Sequence, residues 1–148
     1  MAAKYVCYLN ITGNKMNFKT SMKTVLKDKY FDFKTRASRS EYWWFIVGCS
    51  LLGFVAGIID AILFGVENPI GITAIIIQLA VIIPSIAVTA RRLQDRGRSG
   101  WNQLWYITII GIIPVFYWTL MPAKEKKNKW GINPRIAELK EEQLNLPK

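Results

Sequence analysis

The chain has 148 residues, enough for one domain, and it alternates between long apolar runs and basic segments. Hydrophobic residues make up 51% of the sequence, and 20 lysines and arginines outnumber 10 aspartates and glutamates. The sequence contains no histidine, which removes the commonest metal ligand and the commonest general base. Because the basic residues flank the apolar runs, the composition indicates a membrane protein and disfavours nucleic acid as a partner.

The two cysteines give little support for a metal centre or a disulfide. Cys7 lies in a polar segment and Cys49 inside an apolar run, so we expect them to remain unpaired. The sequence therefore predicts no metal and no cofactor. The first forty residues also lack an apolar core long enough for a cleavable signal peptide.

Residues 1–30 are predicted to be an N-terminal extension that ends in a basic amphipathic helix. Apolar side chains recur at spacings of three and four from Phe18 to Tyr30, and lysines occupy the opposite side. Such a helix can lie in the headgroup plane of a membrane, or it can pack against the rest of the domain. The sequence favours neither placement.

Residues 31–134 are predicted to form an all-α membrane domain, a small polytopic helix bundle, followed by a charged tail at 135–148. Apolar runs of spanning length predict three membrane segments, at about 42–64, 70–90 and 101–121. Ser38–Glu41 fits a capping box, which would begin the first helix. A short turn separates the first two runs, so we expect them to form an antiparallel hairpin.

The third apolar run is interrupted by Gly111 and Pro114, and two placements remain open for it. It can cross the membrane fully, or it can enter and return on the same side. Re-entry would keep every basic residue on one side, as the preference for cytoplasmic lysine and arginine favours. Crossing is favoured slightly more, by the length of the run and by aromatic residues at both ends, with Tyr117 and Trp118 marking the far interface.

Two polar residues fall within the predicted spans. Asp60 can be an intramembrane carboxylate in a relay or ion site, or a charge at the end of its helix. Its position near the end of the run favours the second interpretation. Gln78 lies in the second run, on a stripe of small and polar residues of the kind that holds helices together in lipid. Gly53 and Gly57 form a GxxxG pair, which would let another helix approach closely.

The segment 91–101, RRLQDRGRSGW, holds four arginines and one aspartate between two apolar runs. Each charge would cost about 2.5–3.5 kcal/mol at the centre of a membrane helix, so we predict a loop at the membrane surface. The turn at 65–69 contains no basic residue and should face away from the cytoplasm. The N-terminus and the arginine segment are then predicted to be cytoplasmic.

Three blocks of this sequence together resemble a bacterial inner-membrane family, domain of unknown function 805 of the YhaH type. FKTRASRSEYW at 33–43 resembles F-x-G-R-x-S-R-x-E-[YF]-W, and the segment 91–101 resembles R-R-L-H-D-x-G-x-S-G-W. NKWGINP at 128–134 resembles N-x-[YF]-G-x-x-P. The resemblance implies a multi-pass protein of the inner membrane, and it implies no activity.

Two positions depart from the family pattern. Thr35 stands where the family usually has glycine, so the turn there is expected to be less sharp. Gln94 stands where the family usually has histidine. Glutamine does not titrate, so any proton transfer through that histidine is excluded in this chain.

The candidate site is the set of motif residues at the predicted cytoplasmic end: Arg36, Arg39, Glu41, Trp43, Arg91, Arg92, Asp95, Arg98, Ser99, Gly100 and Trp101. The arginines can bind phosphates of anionic phospholipid or a partner protein. Alternatively, Glu41 and Asp95 pair with arginines and hold the segment in place. Both interpretations can hold together. We also expect replacement of Arg92 and Arg98 to weaken lipid binding more than replacement of Lys124 and Lys126, which would lie in a looser tail.

The expected function is that of a non-enzymatic membrane protein, because the sequence contains no nucleophile–base pair, phosphate loop or metal cluster. The alternative is a subunit of a small oligomeric transporter or channel that uses Asp60 and Gln78. A second copy of the chain or another membrane protein is the partner that such an assembly would need.

Overall fold

The structure is a computed structural model, and it describes residues 16–65 and 71–137. In chain order its elements are α1 (Phe18–Lys23), a π-helical turn (Thr24–Asp28), α2 (Arg39–Phe64), α3 (Ile72–Asp95), a 3₁₀ helix (Gly100–Ile107), α4 (Ile109–Leu120), and strands β1 (Lys127–Asn128) and β2 (Gly131–Ile132). The strands form one antiparallel hairpin. Helices dominate the described residues, which confirms the predicted all-α class.

Helices α2 and α3 form the antiparallel pair that the sequence predicts. Glu41 at the start of α2 contacts Arg91 near the end of α3, and Asp60 near the end of α2 contacts the start of α3. Both helices are long and apolar enough to cross a membrane. Most of the predicted turn at 65–69 lies outside the described residues.

The N-terminal helix packs on the domain, which was one of the two placements left open. Ser21 donates a hydrogen bond to the carbonyl of Glu41 at 2.6 Å. Met22 lies against Gly48, where a β-carbon would come within 2.5 Å of its sulfur. Val25 is buried in a small core with Phe45. The predicted helix is α-helical only as far as Lys23 and continues as the π-helical turn.

Pro84 lies inside α3 and cannot donate the hydrogen bond that the carbonyl of Ala80 would normally accept. The hydroxyl of Tyr30 donates to this carbonyl at 2.7 Å. A side chain from the N-terminal segment therefore supplies the donor that the proline lacks, as transmembrane helices with proline require.

The third apolar run does not form one straight helix. It consists of the 3₁₀ helix and α4. Gly111 lies near their junction, where a β-carbon would clash with the Trp105 carbonyl oxygen, so no side chain fits there. The run begins and ends beside the same end of α3, since Gly100 contacts Ala90 and the Met121 carbonyl accepts from Arg92. The run therefore turns back, and the slightly favoured crossing is wrong in this structure.

Candidate functional site

Three arginines and two carboxylates form a buried cluster where α2 begins and α3 ends. The cluster consists of Arg36, Glu41, Arg91, Arg92 and Asp95, and Arg91 and Arg92 are each 0% exposed. We predicted a surface loop from residue 91 onward, but α3 continues to Asp95. Carboxylates placed beside the guanidinium groups offset the cost of burying them, so the helix can continue through two arginines.

The first ion pair joins α2 to α3. Arg91 Nη1 lies 2.5 Å from Glu41 Oε1, and both side chains are buried. Ser38 caps α2 as predicted, because its hydroxyl accepts from the Glu41 backbone N–H at 3.1 Å. In a full capping box the Glu41 side chain would turn back to the cap residue. Here its carboxylate accepts from Arg91.

Asp95 binds two arginines at once. Its Oδ1 lies 2.7 Å from Arg36 Nη2 and accepts from Arg36 Nε at 2.9 Å, so one carboxylate oxygen faces two nitrogens of the same guanidinium. Its Oδ2 lies 2.5 Å from Arg92 Nη1. The predicted ion pairs between the two carboxylates and the motif arginines are therefore confirmed.

Other donors of Arg36 and Arg92 bind the end of α4 and the segment that follows it, whereas Nε and Nη2 of Arg91 are buried without a partner among the described residues. Arg92 donates to the carbonyl of Thr119 in the last turn of α4, at 3.0 Å, and to the carbonyl of its C-cap residue Met121. Arg36 donates to the carbonyls of Glu125 at 3.0 Å and Gly131 at 3.1 Å. The cluster thus joins α2, α3, α4 and the hairpin at one end of the bundle.

Residues from the three sequence blocks meet here. Arg36 of the first block binds Asp95 of the second and Gly131 of the third. Gln94 donates to the Phe33 carbonyl at 2.7 Å, and Asn128 donates to the Gln94 carbonyl at 2.8 Å. Blocks separated by at least 26 residues of intervening chain therefore form one site.

Both departures from the family pattern make specific contacts. Thr35 donates from its hydroxyl to Asp32 at 2.5 Å. Burial opposes the ionisation of Asp32, but hydrogen bonds from Thr35 and the Lys34 N–H outweigh it and lower the pKa of this carboxyl. Gln94 has a buried side-chain oxygen with no hydrogen-bond partner among the described residues.

The rest of the motif residues line the rim of this site. Arg39 is exposed in the first turn of α2, and Trp43 packs edge-to-face on Phe116 with ring centroids 5.9 Å apart. Ser99 caps the 3₁₀ helix, and Trp101 is 76% exposed. Gly100 is needed for close packing, because a β-carbon there would lie 2.8 Å from Ala90 Cβ.

A cationic cavity lies beside the cluster. Its volume is about 340 Å³, and it is lined by Arg96, Gly97, Arg98, Lys124 and Glu125. The Arg98 guanidinium lies 4.2 Å from the centroid of the Trp118 ring. The expectation that Trp118 marks the far interface is therefore wrong. Lys124, expected in a looser tail, lines the same cavity as Arg98. Nothing in the sequence between 121 and 126 indicated these contacts.

The polar residues of the predicted spans lie apart from this site. Asp60 accepts from the backbone N–H groups of Thr73 at 2.9 Å and Ala74 at 3.0 Å, so it caps α3, in agreement with the favoured helix-end placement. Gln78 is exposed on the outside of the bundle. Among the described residues, no atom would lie within 4 Å of a β-carbon built at Gly53 or Gly57, so no described helix of this chain packs against the GxxxG pair there.

The two apolar helices and the buried cluster define a small α-helical membrane protein whose basic end is held together by ion pairs. No solved structure matches the chain. A family model described as Protein of unknown function (DUF805) matches residues 30–132, and the chain belongs to this family. The sequence resemblance is thereby confirmed.

Two relatives from Escherichia coli strain K12 carry names that fit this description. The inner membrane protein YhaI is 33% identical over 115 residues, which cover 77% of this chain and 94% of YhaI. The inner membrane protein YhaH is 34% identical over 114 residues, which cover 76% of this chain and 93% of YhaH. Neither name states an activity, and both place the relatives in the inner membrane.

Proposed function

We propose that this chain is a non-enzymatic, multi-pass inner-membrane protein that binds anionic phospholipid through exposed arginines at its cytoplasmic end. The buried cluster has a separate role in this proposal. It fixes the two spans, the third apolar run and the hairpin in one arrangement, and it thereby positions the exposed cations.

The observation that carries the proposal is the division of the arginines into two groups. Arg36, Arg91 and Arg92 are buried and paired with carboxylates, so they are not available to lipid. Arg39 and Arg98 are exposed at the same end of the bundle, where each basic residue near an anionic surface contributes about 1 kcal/mol of attraction.

The charge distribution supports a cytoplasmic placement of this end. The cluster joins Arg36, which precedes α2, and the segment after α4 to the end of the helix pair where Arg91 and Arg92 lie. Segments rich in lysine and arginine face the cytoplasm in membrane proteins. The turn between the spans contains no lysine or arginine. In this proposal the hairpin after α4 also lies on the cytoplasmic side.

The contacts of the two carboxylates support a structural role. Glu41 lies 2.5 Å from Arg91, and Asp95 lies 2.7 Å from Arg36 and 2.5 Å from Arg92. Carboxylates whose oxygens face buried guanidinium groups are suited to fixing the arrangement of the helices.

The proposal is tested by the lipids that the protein retains. The purified full-length chain is placed in nanodiscs of equal phosphatidylglycerol and phosphatidylcholine, and retained lipids are counted by native mass spectrometry. We expect preferential retention of phosphatidylglycerol that weakens at high ionic strength, since salt screens exposed charges. Equal retention of the two lipids at low salt would contradict the proposed function.

A further inference from the structure

We infer that the cationic cavity, formed by Arg96, Gly97, Arg98, Lys124 and Glu125, is a binding site for one phosphate ester group. We assign this phosphate group to the headgroup of an anionic phospholipid. Free inorganic phosphate is the alternative ligand, and the experiment below distinguishes the two. This inference rests on the proposed function and assigns lipid binding to one place on the surface.

The charge of the lining suits a monoanionic phosphodiester. Arg96, Arg98 and Lys124 bring three positive charges, and Glu125 brings one negative charge. Within residues 16–65 and 71–137, the ion pairs closer than 4.0 Å involve only members of the buried cluster, so none of these three cations is neutralised by a close carboxylate. A phosphate group would supply the missing counter-charge.

The donors of the cavity are partly positioned before any ligand binds. Arg96 donates from Nη1 to the Pro122 carbonyl at 2.6 Å, and its buried Nε has no partner among the described residues. Arg98 lies over the Trp118 ring, a cation–π contact that restricts its guanidinium. A guanidinium has five N–H donors, so both arginines keep several for phosphate oxygens.

The cavity exists because two distant segments are held together. Arg96–Arg98 follow α3, whereas Lys124 and Glu125 follow α4. The hydrogen bond from Arg96 to the Pro122 carbonyl joins these two segments. The volume of about 340 Å³ is at the lower end of the range for small-ligand sites. Exposed lysines elsewhere, such as Lys19 and Lys27 of the N-terminal segment, do not line this cavity.

The test compares two double variants that remove the same charge. Arg98→Gln with Lys124→Gln alters the cavity, and Lys19→Gln with Lys27→Gln is the matched control on exposed sites. In the mixed nanodiscs, retention of phosphatidylglycerol should fall about fivefold for each cavity cation removed, and by a smaller factor in the control. Equal losses in the two variants would overturn the site and leave the proposed function intact.

A third variant changes the charge in the opposite direction. Glu125→Gln removes the only carboxylate of the lining, so it should increase retention of phosphatidylglycerol, whereas loss of folding would decrease it. A decrease in this variant, with helicity unchanged by circular dichroism, would also contradict the site. No preference for phosphatidylglycerol in the unaltered chain would overturn the proposed function itself.

Excess inorganic phosphate separates the two sources of the ligand. A lipid headgroup is held by its acyl chains as well as its phosphate, so inorganic phosphate should displace no more phosphatidylglycerol than sodium chloride does at the same ionic strength. Displacement of the lipid by phosphate, but not by chloride, would assign the cavity to a soluble phosphate and overturn the lipid as its occupant.

Discussion

Arg91 and Arg98 lie seven residues apart and meet opposite environments. The Arg91 side chain is buried and paired with Glu41, whereas Arg98 is exposed and lies over an aromatic ring. Desolvation of a buried guanidinium costs several kcal/mol, and a close carboxylate offsets that cost only while the pair is intact. The same residue type therefore stabilises the fold at one position and is free to bind a ligand at the other.

Breaking the buried pair should strongly destabilise the protein. We expect Glu41→Gln to lower the free energy of unfolding by about 3–5 kcal/mol, because Arg91 is left without a counter-charge. The double variant Glu41→Leu with Arg91→Met removes both charges and should lose less than Glu41→Gln alone. Denaturant unfolding in detergent micelles, followed by circular dichroism, measures both values.

The control for this comparison is Arg39→Gln, which alters an exposed arginine in the same helical turn as Glu41. Substitutions of this kind usually change stability by no more than about 0.5 kcal/mol. Similar losses for Glu41→Gln and Arg39→Gln would show that the buried pair contributes little.

At the scale of the helices, α3 shows what hydrophobic patterning can and cannot predict. Its start is close to the predicted one, since the apolar run marks it. Its end was placed too early, because the cost of charge in lipid predicts a loop at Arg91. The helix continues because Glu41, fifty residues earlier in the chain, meets that arginine. A contact at that separation is not visible in local spacing, and neither is the return of the third run.

The bond between Tyr30 and Ala80 gives a second testable prediction. Tyr30→Phe should lower stability by about 1 kcal/mol, since it removes the hydrogen bond to the Ala80 carbonyl, which Pro84 leaves without its helical donor. With Pro84→Ala in place, residue 84 regains the N–H that can bond this carbonyl, and the same Tyr30→Phe change should cost less. A double-mutant cycle of thermal unfolding measures this coupling, and strictly additive effects would contradict the role of Tyr30.

For the whole molecule, the sequence predicted which residues form the site better than it predicted how they are arranged. The three motif blocks and the pairing of Glu41 and Asp95 with arginines could be predicted from the residues. The position of Lys124 beside Arg98, and of Trp118 beneath it, could not, because these contacts require the third run to turn back. That return follows from packing at Gly111 and from the carbonyls that Arg92 binds, which no periodicity encodes.

In the proposed arrangement, both ends of the third apolar run lie on the same, cytoplasmic side and are held there by the buried cluster. Single-cysteine variants Ser99→Cys and Lys126→Cys, made after Cys7 and Cys49 are replaced by alanine, test it directly. Glu67→Cys, in the turn predicted to face away from the cytoplasm, is the control. An impermeant maleimide added outside intact spheroplasts should label only Glu67→Cys, and inverted vesicles should show the reverse. Labelling of Lys126→Cys from outside, with Ser99→Cys protected, would mean that the third run crosses the membrane and would contradict the account.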